Sequence, residues 1–201
     1  AILPVLARRF AALYPALELQ AKVATGSVLA DALCENQLDL ALLENSVSVS
    51  DLHTEPIGTD CLCAVLAPAH PLAQQAEIGV PDLQPWPFVH LARHSSVRQY
   101  LDAALFPQTL RTLVEVEQLA TVMGLVQAGL GISVVHDLIL HPNRHGIIRK
   151  PLDEPYYRDI AIATSAAAQP STITRMFCEH ALEWARDTSS AIALATAEAP
   201  E

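Results

Sequence analysis

The amino-acid sequence predicts an α/β protein made of two lobes. The order strand, helix, strand occurs twice, once in residues 17–43 and again in residues 112–135. Between these stretches three prolines fall within seven residues, at Pro81, Pro85 and Pro87, which indicates a boundary between lobes. A chain of 201 residues is long enough to give each of two small lobes its own apolar core.

The connections predict the arrangement within each lobe. Because strand–helix–strand crossovers are right-handed and join parallel strands, we expect each lobe to hold a mostly parallel sheet flanked by helices. The first lobe is predicted to comprise residues 1–85 and 163–201, and the second lobe residues 86–162. Residues 188–201 lack periodicity and are predicted to form a mobile tail.

In the first lobe, the spacing of apolar residues defines the elements. Apolar side chains recur every three or four residues over 2–13, which predicts a helix that ends before Pro15. Residues 17–24 alternate between apolar and polar side chains and predict a strand with one buried face. A glycine turn with an N-cap hydroxyl at 25–27 predicts the start of a helix, and the apolar residues 38–43 predict a buried strand.

The same criteria predict the remaining elements. The predicted strands are 61–67, 87–92, 112–117, 130–135, 146–152 and 158–164, the predicted helices are 95–106, 118–129 and 171–187, and residues 141–146 form a loop.

Composition and charge exclude several classes of protein. With 51% hydrophobic residues, 17% charged residues and no long uncharged apolar run, the chain is expected to be globular and soluble, neither disordered nor membrane-spanning. Twelve Lys and Arg against 22 Asp and Glu give a net charge of −10, which repels nucleic acid. The first residues show no signal-peptide pattern.

The cysteines and histidines do not predict a metal site. Four cysteines lack a zinc-like CxxC spacing, and Cys61 and Cys63 are expected to share one face of a strand as reduced thiols. Two histidine pairs, His90 with His94 and His141 with His145, have the spacing of helical zinc ligands. The first pair begins on a strand and the second lies in a loop, so we expect neither a metal nor another cofactor.

No catalytic motif is evident either. Ser133 follows Gly131 but lacks the closing glycine of a nucleophile turn. Gly129 and Gly131 follow a helix rather than a strand, which favours helix closure and close packing over phosphate binding. We therefore expect no catalytic residues.

Three loops share one topological place, after a strand and before a helix: Thr25-Gly26-Ser27, 94–96 and 117–119. Such loops present backbone N–H groups and short hydroxyls to a ligand, although each one alone also fits a capped helix start. Together they predict a cleft. Arg98 can reach an anionic ligand or pair with Asp102, and Glu44 and Glu117 would give the cleft mixed charge.

The order of several segments resembles the effector-binding domain of LysR-type transcriptional regulators. The resemblance rests on the opening ILPVLARRF with its YP pair, the LDLAL segment at 38–42 and the AGLGI segment at 128–132, and it runs from residue 2 to about 186. It implies a bacterial, cytoplasmic protein with a periplasmic-binding-protein-like fold, whose two lobes are joined by two crossover strands and enclose a small effector.

The resemblance also implies which residues bind the effector and which partners the protein has. The candidate effector-binding residues, which include Gly26 and Arg98 from the loop argument, are Leu3, Thr25, Gly26, Ser27, Glu44, Ser95, Ser96, Arg98, Glu117, Gln118 and Leu119. Leu6, Phe10 and Leu13 are expected to serve a homodimer interface as well as the core, with a tetramer possible in the full-length protein. DNA would be bound only by a winged helix-turn-helix domain preceding Ile2, and no membrane partner is implied.

The sequence departs from the family pattern in two places. The family's opening strand and its hydroxyl-bearing turn are expected before Ile2, so we take the chain to be a fragment of a longer regulator. His136 stands where many relatives have proline, as either a core or a surface contact.

Two alternative functions remain open at this stage. A solute-binding protein of a transport system shares the two-lobe architecture but needs a signal peptide. A small enzyme on the same fold, such as a dehydratase or a deaminase, needs an acid and a base that converge in the cleft, whereas the loops offer mostly hydroxyls.

Overall fold

A computed structural model describes residues 2–44, 50–139 and 146–197. The helices are α1 (Ile2–Leu13), α2 (Gly26–Cys34), α3 (Ser96–Leu105), α4 (Leu119–Gln127) and α5 (Thr172–Ala197). The strands are β1 (Ala41–Glu44), β2 (Leu52–Leu66), β3 (Phe88–Leu91), β4 (Thr112–Val116), β5 (Ser133–His136), β6 (Ile148–Pro151) and β7 (Tyr157–Ser165). Short 3-10 turns lie at Pro71–Gln74, Val80–Leu83 and Asp137–Ile139.

The chain divides into two compact units. The first unit is Ala1–Asp60 with Arg158–Glu201, and the second is Cys61–Tyr157. The chain therefore passes between the units within β2 and at the start of β7, whereas the boundaries predicted from sequence were 85/86 and 162/163. The first difference arises because β2 is one continuous 15-residue strand whose second half pairs with β5 and β6.

The first unit is built around helices α1, α2 and α5 and the antiparallel pair of β1 and β7. Phe10 of α1 is fully buried and its ring lies 4.9 Å from that of Phe177 of α5, which fixes the two helices against each other. β1 pairs with β7 so that Ala41 is opposite Ala163 and Glu44 is opposite Ile160. Leu33 of α2 packs on this strand pair in a small apolar cluster.

The predicted strand at 17–24 is wrong. These residues form no regular secondary structure, and Val23 is 93% exposed. Alternation of side chains suits a strand, but a strand forms only where a neighbour supplies hydrogen bonds, and none of the described residues pairs with this segment. The expected parallel pairing of 17–24 with 38–43 is therefore absent as well. Instead, β1 pairs with β7 in the antiparallel sense.

The second unit combines parallel and antiparallel pairing. β3 and β4 are parallel, with Leu91 opposite Val116, while β5 and β6 both pair antiparallel with β2. Its main core surrounds Leu62, Leu66, Phe88, Leu101 and Ile132. The prediction of mostly parallel sheets therefore holds only for β3 and β4 among the named strand pairs.

The glycines after α4 match their predicted structural roles. Gly129 adopts a positive φ of 75°, which closes the helix at low cost. At Gly131 an added Cβ would lie 2.5 Å from the carbonyl oxygen of Pro87, so the two backbones approach too closely for any other residue. The backbone N–H of Ile132 donates to the same carbonyl oxygen of Pro87 at 3.0 Å.

The end of the chain also differs from the prediction. α5 continues to Ala197, so residues 188–197 of the predicted tail are helical, and residues 198–201 lie outside the described residues. The alanine-rich composition of this stretch favours helix. Most of the predicted loop at 141–146 lies outside the described residues as well.

Candidate functional site

In the second unit, two of the predicted loops lie at one edge of the β3–β4 sheet. The strands are parallel and their last residues, Leu91 and Val116, are register partners. Each strand is followed by a short loop and then a helix, α3 after β3 and α4 after β4. Parallel pairing therefore brings Ser95 and Ser96 to the same sheet edge as Glu117.

The start of α3 is capped by a serine, as its hydroxyl spacing predicted. Ser95 accepts a hydrogen bond at its Oγ from the backbone N–H of Arg98, 3.2 Å away. This leaves Ser95 with a structural role in addition to its predicted place in the site. Ser96, the first helical residue, is half-buried.

Arg98 is held by two carboxylates. Its Nε donates to both carboxylate oxygens of Asp102, at 2.9 and 2.8 Å, and its Nη1 lies 3.3 Å from Oε2 of Glu115. The Arg98 side chain is only 11% exposed. Of the two roles predicted for Arg98, the structure places it in the pair with Asp102, and an anionic ligand would compete with both carboxylates for it.

His90 lies next to this cluster and was not predicted as part of it. It is buried on β3, opposite Glu115 of β4, and its Nδ1 has no hydrogen-bond partner among the described atoms. Burial and, to a lesser extent, the positive charge of Arg98 lower the pKa of His90 to about 4, so the imidazole is neutral at pH 7. In the sequence His90 stood out only through its spacing to His94, for which no metal was expected.

No side chain caps the start of α4, so the loop before this helix offers backbone N–H groups. Glu117 and Gln118 are exposed and Leu119 is half-buried. Gln118 occupies the N-cap position without a side-chain hydrogen bond, while its carbonyl accepts from Thr121 at 3.0 Å. The first N–H groups of α4 therefore have no acceptor within the helix.

In the first unit, the predicted hydroxyls stand at the start of α2. Thr25 takes the N-cap position with an extended backbone, and its Oγ1 lies 3.3 Å from Oγ of Ser27. Both side chains are exposed, and Gly26 between them is half-buried. Thr25 makes no side-chain cap, so its hydroxyl is not needed to close the helix.

Glu44, at the end of β1, belongs to an ion cluster that the sequence did not reveal. It pairs with Nη1 of Arg158, whose Nη2 also donates to Oδ2 of the fully buried Asp60, at 2.9 Å. Asp60 and Arg158 are 98 positions apart in the chain, so spacing cannot connect them. In the sequence, each of these three residues is recognisable only as a charged residue next to an apolar run that predicts a strand.

The remaining predicted residues lie on α1. Leu3 is half-buried, whereas Leu6 and Phe10 are fully buried within the first unit and Leu13 is 59% exposed. Of the three residues predicted to serve a dimer interface, only Leu13 thus presents much of its side chain to solvent.

Other candidate chemistry is accounted for by packing. Ser133 is buried and its hydroxyl donates to the carbonyl of Val89 at 2.7 Å. His136 is buried as well, so its departure from the family pattern lies in the core.

All four cysteines are free thiols, and no three potential metal ligands are grouped within the described ranges. No helix that the structure describes has the length and apolar character to cross a membrane.

Comparison with known proteins agrees with this architecture. A family model described as LysR substrate binding domain matches residues 1–186. The chain is 34% identical over 139 residues to the transcriptional activator protein LysR of Escherichia coli, covering 68% of this chain and 44% of that protein. It is 30% identical over 141 residues to the transcriptional regulator CysL of Bacillus subtilis, covering 69% of this chain and 47% of that protein.

A solved structure shares the fold. The regulatory domain of CcmR from Synechocystis, in complex with 2-PG, superposes with a TM-score of 0.78 at 24% identity, covering 90% of this chain and 89% of that one. The chain spans about half the length of the curated relatives it matches. On the family match over residues 1–186, the protein belongs to the LysR substrate-binding domain family.

Proposed function

We propose that this chain is the ligand-sensing part of a LysR-type transcriptional regulator. In this proposal a small-molecule effector binds with different affinity to two arrangements of the lobes or of the dimer. Effector binding thereby shifts DNA binding by another part of the protein. The observation that carries the proposal is the family match over residues 1–186, together with a shared fold in a regulatory domain that holds a small ligand.

The proposed effector contacts are the predicted loop residues. The best supported are Ser96 and the loop 117–119, because the parallel β3–β4 pair places both at one sheet edge with backbone N–H groups at two helix starts. Thr25, Gly26, Ser27, Glu44 and Leu3 are proposed as contacts from the first unit. Ser95 and Arg98 are proposed to position the α3 start, given their bonds to each other and to Asp102.

The proposal extends to the oligomeric state of the protein, its cellular location and its lack of catalysis. We infer a cytoplasmic homodimer in which Leu13 contributes to the interface and Leu6 and Phe10 support it from within the core. Because the relatives are transcriptional regulators, the chain is proposed to bind its ligand without chemical change. Its net charge of −10 agrees with leaving DNA contact to another domain.

A thermal-shift screen with a paired variant tests the proposal. The wild-type chain, Ser96→Trp and Thr109→Trp are screened against a metabolite library that includes 2-PG. Thr109 is exposed and precedes β4, at the strand end opposite the loop 117–119, so its variant controls for an added indole. We expect at least one metabolite to stabilise wild type and Thr109→Trp but not Ser96→Trp. Equal stabilisation of all three proteins would contradict the site assignment.

A further inference from the structure

The segment 17–24 of the first unit is an exposed stretch of chain between α1 and α2. Residues 18–23 are all exposed, and no strand pair among the described residues includes the segment. Backbone hydrogen bonds flank it at Leu17, whose N–H donates to Tyr14, and at Thr25, whose carbonyl accepts from Leu29. The backbone groups between these two residues are therefore available to pair with another strand.

The side chains of this segment alternate as in a strand with one apolar face. In an extended conformation the apolar residues share one face and the polar residues share the other. The apolar residues are Leu17, Leu19, Ala21 and Val23, and the polar residues are Glu18, Gln20 and Lys22. Val23 is 93% exposed and Leu19 is 43% exposed. Such an exposed apolar face favours pairing with a second strand that carries the same pattern.

The segment is complementary to itself when two copies run antiparallel. If Gln20 lies opposite Gln20 of a second copy, Glu18 of each copy lies opposite Lys22 of the other. On the apolar face, Leu17 then lies opposite Val23, and Leu19 lies opposite Ala21. Every cross-strand pair matches in polarity, and two of the pairs join opposite charges.

Other arrangements of two copies lose this match. Parallel pairing in register places Glu18 beside Glu18 and Lys22 beside Lys22, so like charges repel. A one-residue shift of the antiparallel register places Leu19 opposite Gln20 or Lys22 and mixes apolar with polar side chains. A two-residue shift keeps the faces matched but leaves neither charge opposite its counterion. The register centred on Gln20 is therefore favoured.

We propose that two copies of this chain associate through residues 17–23, as an antiparallel strand pair with its two-fold axis at Gln20. A two-fold contact uses the same surface on both copies and closes as a dimer. Leu13, which is 59% exposed, lies four residues before the segment, so both contacts belong to one continuous stretch of chain. The inference rests on the homodimer of the proposed function and assigns its contact surface.

Sedimentation equilibrium of charge variants tests the pairing. Glu18→Lys and Lys22→Glu each place like charges opposite one another twice in the dimer, and each should raise its dissociation constant roughly tenfold. The double variant restores both ion pairs with reversed polarity and should dimerise as tightly as wild type. Glu35→Lys is the matched control. Glu35 is exposed outside the segment and accepts from Gln37, two residues on, as Glu18 accepts from Gln20.

NMR on a mixture of carbon-13-labelled and unlabelled copies tests the register. Leu17 and Val23 lie about 20 Å apart within one extended strand, so a nuclear Overhauser effect between their methyl groups can arise only between copies. We expect this effect in wild type and in the double charge variant.

Three results would overturn the inference. They are a chain that stays monomeric at high concentration, a dimer that both single charge variants leave intact, and a dimer without the Leu17–Val23 effect. If a metabolite still stabilises such a protein, and Ser96→Trp abolishes that stabilisation, the strand pairing fails while the ligand-sensing proposal stands.

Discussion

His90 and Glu115 are direct register partners across the parallel β3–β4 pair, and Arg98 of α3 binds that same glutamate. A buried neutral imidazole thus lies beside an arginine that is itself held by two carboxylates. This relationship links the start of α3 to the sheet edge where two candidate loops meet.

Removing the positive charge of Arg98 should raise the pKa of His90. Arg98→Gln removes the second-largest cause of the lowered pKa and leaves Asp102 and Glu115, whose negative charges raise it. Burial, the largest cause, is unchanged, so the pKa should rise above about 4 but stay below 6.5. A pH titration of the imidazole signals by NMR measures this. Arg93→Gln is the matched control, because the charge of Arg93 contributes least to the lowered pKa of His90 and its side chain is mostly exposed.

His90 should make the free energy of unfolding depend on pH. The unfolded chain takes up a proton near pH 6.5, whereas native His90 does so only near pH 4. Stability contributed by this residue is therefore present above pH 6.5 and is lost as the pH falls toward 4, by up to roughly 3 kcal/mol. Urea unfolding at several pH values should show a smaller acid loss for His90→Gln than for wild type. The exposed His94→Gln control should follow wild type, and identical profiles for all three proteins would contradict the assignment.

The contact between Gly131 and Pro87 should be intolerant of a side chain. Gly131→Ala forces a Cβ to within 2.5 Å of a backbone oxygen, so we expect destabilisation by about 2 kcal/mol or more. Gly124→Ala lies within α4 with no atom within 4 Å of the added Cβ, and should stabilise by about 1 kcal/mol. Thermal unfolding measures both. A Gly131→Ala protein as stable as wild type would contradict the close contact between Gly131 and the backbone of Pro87.

The thiols should differ sharply in reactivity. Burial raises the pKa of Cys63 far above its ordinary value and that of Cys178 to about 11, whereas Cys34 is exposed. Because the thiolate is the reactive form, iodoacetamide at pH 8 should modify Cys34 first and Cys63 last. Peptide mass spectrometry over time gives the order, and early labelling of Cys63 would contradict its burial.

The sequence predicted those elements whose signal is local. The cap of α3 at Ser95 and the closure of α4 at Gly129 each depend on a few adjacent residues, and both are present. The segment 17–24 failed because alternation cannot supply a pairing partner. The cluster of Glu44, Asp60 and Arg158 was missed because its members meet only through the fold.

The candidate site was predictable to a similar extent. Loop position after a strand predicted that Ser96 and Glu117 share an edge, and the β3–β4 register agrees with this. The roles of individual side chains were not predictable, because they depend on partners from other elements. Arg98 illustrates this, since only the structure reveals its second carboxylate, Glu115.

Native mass spectrometry of the chain, purified and then incubated with a bacterial metabolite extract, tests the ligand-sensing proposal most directly. We predict a dimer that carries one or more small-molecule adducts, which Ser96→Trp loses and Thr109→Trp retains. A chain that binds no metabolite under these conditions, or whose adducts are the same in all three proteins, would contradict the proposal.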